Sequence, residues 1–580
     1  MAASMKLVEE SYRLKLCAGN DPSDFSGELI AARPDSAAFQ AILQSSHPYC
    51  VSTQCREWFT AGKQSAGEQE RLRIAVDAPF PVSCSIEEFL PDDDEIPKAD
   101  LLLNQSVRES PPDLPTAVWV EIEISEDAAA GDYSVIVFLY SSMPLQNELL
   151  LQQNTLSLHV GNAVCPPPER RRFQLDLWQH CSNIARKHDV RLWSDGHFAV
   201  LKKYAESLAA LGQKSITVVA SQIPWRGQDG AVDHRFGGNL FEYSMIPIKK
   251  TPSGRFSFDY SIMQRYIDTC TEAGITGDID VFGLINVWRN GQCPQEHLCP
   301  DYPEWILLRY YDEADGCQKY ITEGNEIRAY IQSLEQYFIA TNQIGRVKIV
   351  ADEPVDLELY RQSLNIFYET APAFRFKTAI NHAEFISEFQ DSIDVFVPQL
   401  RCAVSESEPL RQYRAMHPEK KFLWYVCSGT GYPNTFLRSM LLESRLIGIL
   451  TALFGYDGFL RWNYTAWPDH PRHDIRYSAF EAGDTNFVYP AHDGSVLYSL
   501  RYKNLQRGIT DYELLMQVKK KFGSQSFFQL LSTVIRTTNI QDFGRKEEKL
   551  PRSRLFSIDW NEYNKMKRSL LDMLDGTNAV

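Results

Sequence analysis

The chain has 580 residues, too many for one ordinary core, so two or more domains are expected. Hydrophobic residues make up 44% and charged residues 23%, a globular composition that excludes a disordered chain. A formal net charge of −16 argues against nucleic acid as the main ligand, because phosphate binding needs a basic surface, and gives no support for an anionic membrane as partner.

The N-terminal stretch MAASMKLVEESYRLKLCAGN lacks the apolar core of a secretory signal. No run approaches the roughly 18 apolar residues of a spanning helix. A cytoplasmic location is therefore expected. The 12 cysteines follow no framework-like spacing and are read as free thiols.

Residues 117–124, AVWVEIEI, alternate apolar and acidic residues with period two. A turn, SEDAAAGDY, follows, then the apolar runs SVIVFLY and LSLHV. Short strands separated by turn signals predict an antiparallel β-sandwich over residues 1–165. GNAVCPPPERRR, residues 161–172, with three consecutive prolines, reads as a stiff linker.

Beyond it, apolar strand-like runs alternate with helical patterns. The runs are residues 173–180, 215–221, 278–286, 346–353, 376–382, 393–399, 422–428 and 458–464. Helical patterns include HFAVLKKYAESLAALG, YSIMQRYIDTCTEAG, NEIRAYIQSLEQYFIATNQ and FLRSMLLESRLIGILTALFG, three of which stop on glycine. Eight strands alternating with helices predict a (β/α)8 TIM-type barrel over residues 170–535. A doubly wound sheet would show a glycine-rich phosphate turn after its first strand, and CSNIARKHDV has none. A hairpin around Asp493-Gly494 and then helices follow, with residues 536–580 expected as a helical tail.

In such a barrel the chemistry lies where strands end. Those ends carry His180, Trp225, Asn286, Trp288, Asn381, Trp424, Tyr425, Trp462, Tyr464 and Trp467, together with the adjacent acids Asp352 and Glu353. Amides and acids bind hydroxyls, and indole faces stack on the C–H side of a pyranose, so the set reads as a carbohydrate pocket. Taken singly, each has a bland alternative: a core tryptophan, a structural histidine, a cap, a surface acid at a helix N-terminus. Hydrolysing a glycoside needs a proton donor for the leaving oxygen and stabilisation of positive charge at the anomeric carbon. Neighbouring carboxylates also raise one another's pKa, which suits an acid that must stay protonated near neutral pH. CPQEHLCP, with Cys293, His297 and Cys299, fits no common zinc spacing, so no metal and no cofactor are expected.

The stretches DLWQHCSNIARKHDVRLWSDGHF, VVASQIPWRGQ, ADEP, FLWYVCSGTGYPNTFL, GYDGFLRWNYTAWP and AGDTNFVYPAHDGSVLYSLRYKNLQRGITDYELL resemble glycoside hydrolase family 123 and the related catalytic-domain family first catalogued as domain of unknown function 4091. The resemblance spans roughly residues 173–515. It implies a β-sandwich followed by a barrel, and retaining β-N-acetylgalactosaminidase chemistry assisted by the substrate's own 2-acetamido oxygen. The family's Asp-Glu pair maps onto Asp352, which would hold the acetamido N–H, and Glu353, which would be general acid and then base. Tyr425 and Asn381 are our candidates for the acetamido carbonyl and ring hydroxyls. A GalNAc-containing glycoside is the expected partner. The alternatives are a hydrolase of another sugar on the same barrel, and a catalytically silent carbohydrate-binding protein, against which the intact acid pair speaks.

Overall fold

The computed structural model describes residues 3–17, 25, 27–53, 69–143, 146–225, 235–286, 297–405, 407–545 and 550–576. Two sheets stack at the N-terminus. The five-stranded sheet runs in the order Ser4–Glu9, Asp35–Gln44, Thr116–Ile124, Val82–Pro91, Pro97–Leu102, and every pairing is antiparallel. The six-stranded sheet runs Glu28–Arg33, Leu149–Val164, Gly131–Ser142, Glu70–Asp77, Tyr49–Ser52, Val107–Ser110. Two of its pairings are parallel, Glu28–Arg33 with Leu149–Val164 and Tyr49–Ser52 with Glu70–Asp77. Leu7, Phe39, Val118 and Val120 of one sheet meet Leu72, Val137, Leu139 and Leu158 of the other in a buried core.

Each of the eight apolar runs after the prolines forms a strand of one parallel sheet. These are β1 (Gln174–Leu177), β2 (Ile216–Val219), β3 (Ile279–Phe282), β4 (Val347–Asp352), β5 (Arg375–Ile380), β6 (Val395–Pro398), β7 (Lys421–Tyr425) and β8 (Gly458–Arg461). β1 pairs with β8, and the order then descends from β8 to β2. The remaining seam, β1 to β2, is closed by a side chain. Gln213 Oε1 accepts the Leu177 N–H at 2.9 Å, and its Nε2 donates to Leu177 O at 3.2 Å, as a peptide of a neighbouring strand would. A parallel bridge between Leu175 and Gln213 completes the closure.

Period two sorts the barrel strands into faces. Leu175, Val218, Ile349, Phe376 and Phe422 face the helices, in the large outer core. Trp178, Val219, Phe282, Val350, Ala379, Val397, Leu423 and Leu460 fill the interior. Beneath them Lys377 pairs with Asp176 and, at 2.6 Å, with Asp280, all three buried. One ammonium between two carboxylates satisfies the rule that buried charge must be paired.

The helix Asp195–Leu211 starts where the Ser194 hydroxyl caps the His197 N–H, and it stops on Gly212 at φ 100°, a conformation glycine adopts without steric cost. A four-stranded sheet built from Ile248–Lys250, Phe256–Phe258, Arg309–Asp312 and Cys317–Tyr320, outside the sequence expectation, joins the segments after β2 and β3. Among the described residues no helix is long and apolar enough to cross a membrane.

The second face of the five-stranded sheet is covered by the barrel. Trp119, Ile42 and Ala38 pack on Leu441 and Leu500, the first residues of the helices Leu441–Phe454 and Leu500–Leu531. The acids of AVWVEIEI therefore do not all face water. Glu121 is buried and accepts from Lys503 at 2.5 Å and Arg507 at 3.1 Å. Arg507 also pairs with Glu10 at 2.8 Å, and Arg501 with Asp100 at 2.9 Å. The helix Trp560–Asp575 returns to the same sheets through Lys567 and Asp35, 2.6 Å apart. In this seam the acids come from the sandwich and the bases from the chain's last helices.

Two expected outcomes follow. Gly448 and Gly508 form a close crossing of the helices Leu441–Phe454 and Leu500–Leu531, where a Cβ on Gly448 would lie 1.8 Å from Gly508 O. Gly448→Ala should destabilise the fold by about 3 kcal/mol in denaturant titrations, against a few tenths for an exposed helix site. The second concerns pH. Lys503 and Arg507 hold the Glu121 carboxyl down at about 2, against an ordinary 4.5. A depressed acid stabilises above its unfolded pKa and loses that contribution as pH falls towards its folded one. The advantage of the wild type over Glu121→Gln, about 3 kcal/mol at neutral pH, should hold above pH 4.5 and shrink steadily towards pH 2 in thermal melts.

Candidate active site

β4 delivers the acid pair. Its inward side chains are Lys348, Val350 and Asp352, alternating with Val347, Ile349 and Ala351, which face the helices. Asp352 thus enters the barrel mouth, where it lines a cavity with Ile223, Trp225, Phe282, Ile285 and Asn286. Continued alternation would send the next side chain out among the helices. Instead Glu353 adopts φ 50°, left-handed for a residue with a Cβ, and it does so immediately before Pro354, which restricts it further. Such outliers persist only where surrounding contacts impose them, and they cluster at functional sites. Here the Glu353 N–H donates to Ala379 O at 3.0 Å. Asn381 Nδ2, from the end of β5, donates to Glu353 Oε2 at 2.9 Å, and the Tyr425 hydroxyl, from the end of β7, donates to Oε1. The turn thereby keeps both neighbouring carboxyls at the mouth.

Asn286, itself at φ 49°, donates its amide to the Asp352 main-chain carbonyl. The expected sugar ligand is in this structure a clamp on the peptide that joins the two acids. Burial, and then the charge of Glu353, push the Asp352 carboxyl well above the ordinary carboxylate range. Burial also raises Glu353, while the hydrogen bonds from Tyr425 and Asn381 and the nearby His382 pull it back. The pair resists losing both protons together, the condition for an acid that stays protonated near neutral pH.

His180 follows β1 and precedes the helix Cys181–Lys187. Its ring is fully buried, and neither ring nitrogen has a hydrogen-bond partner among the described residues. Its centroid lies 5.2 Å from Trp225 and 5.9 Å from Trp462, both rings edge-on. Burial, with Arg186 nearby, brings its pKa down to about 3, so the imidazole is neutral at working pH, one nitrogen a donor and the other an acceptor. Trp225 also packs against Trp178 at 5.6 Å and Phe282 at 5.8 Å.

Three expected sugar ligands lie elsewhere. Trp424 is one residue before Tyr425 and so faces outward, its Nε1 donating to Thr451 of the helix Leu441–Phe454 at 2.8 Å. The Tyr464 hydroxyl meets Ser207 of the helix Asp195–Leu211 at 2.8 Å, and the Trp467 indole donates to Val488 O at 2.6 Å while packing on Tyr204. All three belong to the outer core. Trp288 lies outside the described residues. The mouth gains three residues that the strand-end reading passed over, Trp178, Phe282 and Phe480. Period-two counting from Asp176 and Asp280 would have found the first two; Phe480 sits in irregular chain and carries no periodic signal.

In CPQEHLCP, Cys293 is outside the described residues, while His297 contacts Glu304 O at 3.2 Å and Cys299 contacts Asp301 at 3.1 Å. Glu28, Asp132 and His159 on the sandwich could bring ligand atoms within 4.8 Å of one another. Glu28, however, already meets the Arg568 guanidinium at 3.1 Å, and His159 meets Asp132 at 2.7 Å. A cation there would have to compete with the guanidinium.

Comparison with known proteins adds the family. A sequence model of the glycoside hydrolase 123 catalytic domain matches residues 178–518. No sequence among the curated proteins matches the chain. Among solved structures, a family 123 glycoside hydrolase from Clostridium perfringens, described for glycolipid glycan hydrolysis, superposes with a TM-score of 0.77 at 16% identity, covering 99% of this chain and 100% of that one. A β-D-glucuronidase from Dictyoglomus thermophilum gives a TM-score of 0.31 at 10% identity, covering 87% of this chain and 68% of that one. With the family's catalytic domain matched over more than half of its length, the chain belongs to glycoside hydrolase family 123.

Proposed function

We propose that this glycoside hydrolase releases a terminal β-linked N-acetylhexosamine, N-acetylgalactosamine first among them, with retention and with the substrate's 2-acetamido oxygen as the nucleophile. The observation that carries the reading is the left-handed turn at Glu353, which keeps two successive carboxyls at one mouth and ties the second to Tyr425 and Asn381.

In this mechanism Asp352 accepts the acetamido N–H and orients the carbonyl oxygen beneath the anomeric carbon. Glu353 protonates the leaving oxygen as the C–O bond breaks and the acetamido oxygen closes the five-membered ring. Glu353 then takes a proton from the water that reopens it. In the free site the proton is favoured on Asp352 by burial and by the adjacent Glu353. An amide N–H arriving at Asp352 favours its ionised form, which makes the proton available to Glu353. The neutral His180, beside the Trp225 and Trp462 indoles, is suited to a sugar hydroxyl, which would satisfy one of its two otherwise unpaired nitrogens.

Glu353→Gln should leave the fold intact and lower turnover of glycosides with poor leaving groups by about 10²–10⁴-fold. Activated aryl glycosides should lose less in the first step. Equal loss on both classes, with glycosidic cleavage limiting in each, would count against the acid role. Asp352→Asn should cost about 3–4 kcal/mol of transition-state stabilisation. Progressive fluorination of the acetyl methyl should slow the wild type stepwise, and a hydroxyl in place of the acetamide should nearly stop it. A flat series would transfer the reading to another sugar or another nucleophile.

pH adds a separate test. The acid must be protonated, so kcat/KM should fall as pH rises through the raised pKa of the pair. Tyr425 donates to the ionised form of Glu353 and lowers its pKa. Tyr425→Phe should therefore move the alkaline limb to higher pH while lowering kcat. A limb that stays in place would detach Tyr425 from the titrating group. Because the mechanism draws on no metal, activity should survive exhaustive chelation; loss to EDTA with rescue by one specific ion would overturn that.

A further inference from the structure

The sandwich and the barrel mouth share a segment of chain. After β8 the chain runs through residues 462–499 before the helix Leu500–Leu531. Ile475 and Ala482 of this segment are buried in the core of the sandwich, with Leu101 and Val118. Between them the chain turns the other way. Tyr477, Ala479 and Phe480 join the cluster inside the mouth that contains Trp225, Val350 and Tyr425. Phe480 packs on Trp462 with ring centroids 4.9 Å apart. Trp462 in turn borders His180. The segment is a strap with both ends in one domain and its middle in the active site of the other.

The middle of the strap, residues 475–482, belongs to no helix and to no named strand, so no regular ladder fixes its position. One of its polar pins comes from the sandwich. The hairpin between Val82–Pro91 and Pro97–Leu102 carries Asp93, whose Oδ2 accepts the Ala482 N–H at 3.0 Å. The same oxygen lies 3.8 Å from Arg438, which pairs with Glu481 at 2.9 Å. Glu481 also accepts from Ser428, in the loop after β7.

We propose that the N-terminal sandwich is part of the substrate-recognition apparatus: Asp93 is a positioning residue that sets the strap, and the strap's Phe480, packed on Trp462, forms a wall against which the apolar face of the bound pyranose lies. This rests on the glycosidase reading given above. Aromatic contact with a sugar ring falls off within fractions of an ångström, so a wall that loses the hydrogen bond from Ala482 to Asp93 binds more weakly, although Leu437 still donates to Ala482 O at 2.7 Å. The strap carries neither acid of the pair, which comes from β4 and the turn after it, so bond breaking should be affected less than binding.

The test uses the full chain and the aryl β-glycoside that the wild type hydrolyses fastest within a panel of sugars. Asp93→Ala should raise KM about fivefold to tenfold, the range of one lost hydrogen bond, with kcat within about twofold of wild type. Asp93→Asn, which retains an acceptor for the Ala482 N–H, should restore KM. Phe480→Ala should raise KM at least as much, and adding Asp93→Ala to it should change little, because both act through one wall. An unchanged KM in Asp93→Ala, or full additivity with Phe480→Ala, would overturn the proposal even if the melting temperature fell. Glu353→Gln is measured alongside. A panel with no hydrolysed member, or an undiminished Glu353→Gln, would instead overturn the glycosidase reading beneath it.

Discussion

The fold depends on a buried seam of opposite charges between its two halves. Glu10, Asp35, Asp100 and Glu121 of the sandwich face Arg445 of the helix Leu441–Phe454 and Arg501, Arg507 and Lys567 of the chain's last helices. Breaking one partner of such a buried pair strands the other, at several kcal/mol. The seam therefore tolerates little sliding, and it fixes the helix Leu500–Leu531 against the five-stranded sheet. That helix closes the outer layer after β8. The loops after β7 and β8 are then confined between the sandwich core and the barrel mouth, where Leu437 and Ile475 are buried against sandwich residues. The sandwich thus shapes the active-site rim without supplying the acid pair.

The site itself arises from one alternation and one violation of it. Period two carries Asp352, Asn381 and Tyr425 to the inside of the barrel from three different strands. A regular strand could present only one of two successive carboxyls there. The left-handed Glu353 breaks the alternation, and the hydrogen bonds that it receives from β5 and β7 hold the break. Removing water from both acids raises their pKa values, so the same enclosure that shapes the pocket also supplies the proton.

The eight barrel strands were legible in the sequence because buried parallel strands are near-continuous apolar runs, set off by helices with clear glycine stops. The acid pair was legible because it interrupts such a run. The direction of the Trp424 indole was legible in principle: Trp424 and Tyr425 are adjacent, so only one of them faces the mouth. Tyr464 and Trp467 lie beyond the end of β8, where alternation stops and packing against the helices decides. The buried state of Glu121 could not be read from its alternating pattern, because its partners Lys503 and Arg507 lie more than 380 residues away. The Phe480 wall leaves no periodic signal, since its place comes from the sandwich and not from its own backbone.

The central claim is that the substrate's acetamido group, and not a protein carboxylate, attacks the anomeric carbon beside Asp352. The most direct measurement is calorimetric binding of N-acetylgalactosamine thiazoline, a stable mimic of the cyclised intermediate, to the wild type and to Asp352→Asn. The account predicts binding at least 10²-fold tighter than that of free N-acetylgalactosamine, with most of the gain lost in Asp352→Asn. Thiazoline binding no tighter than the free sugar, or equally tight in both proteins, would contradict it.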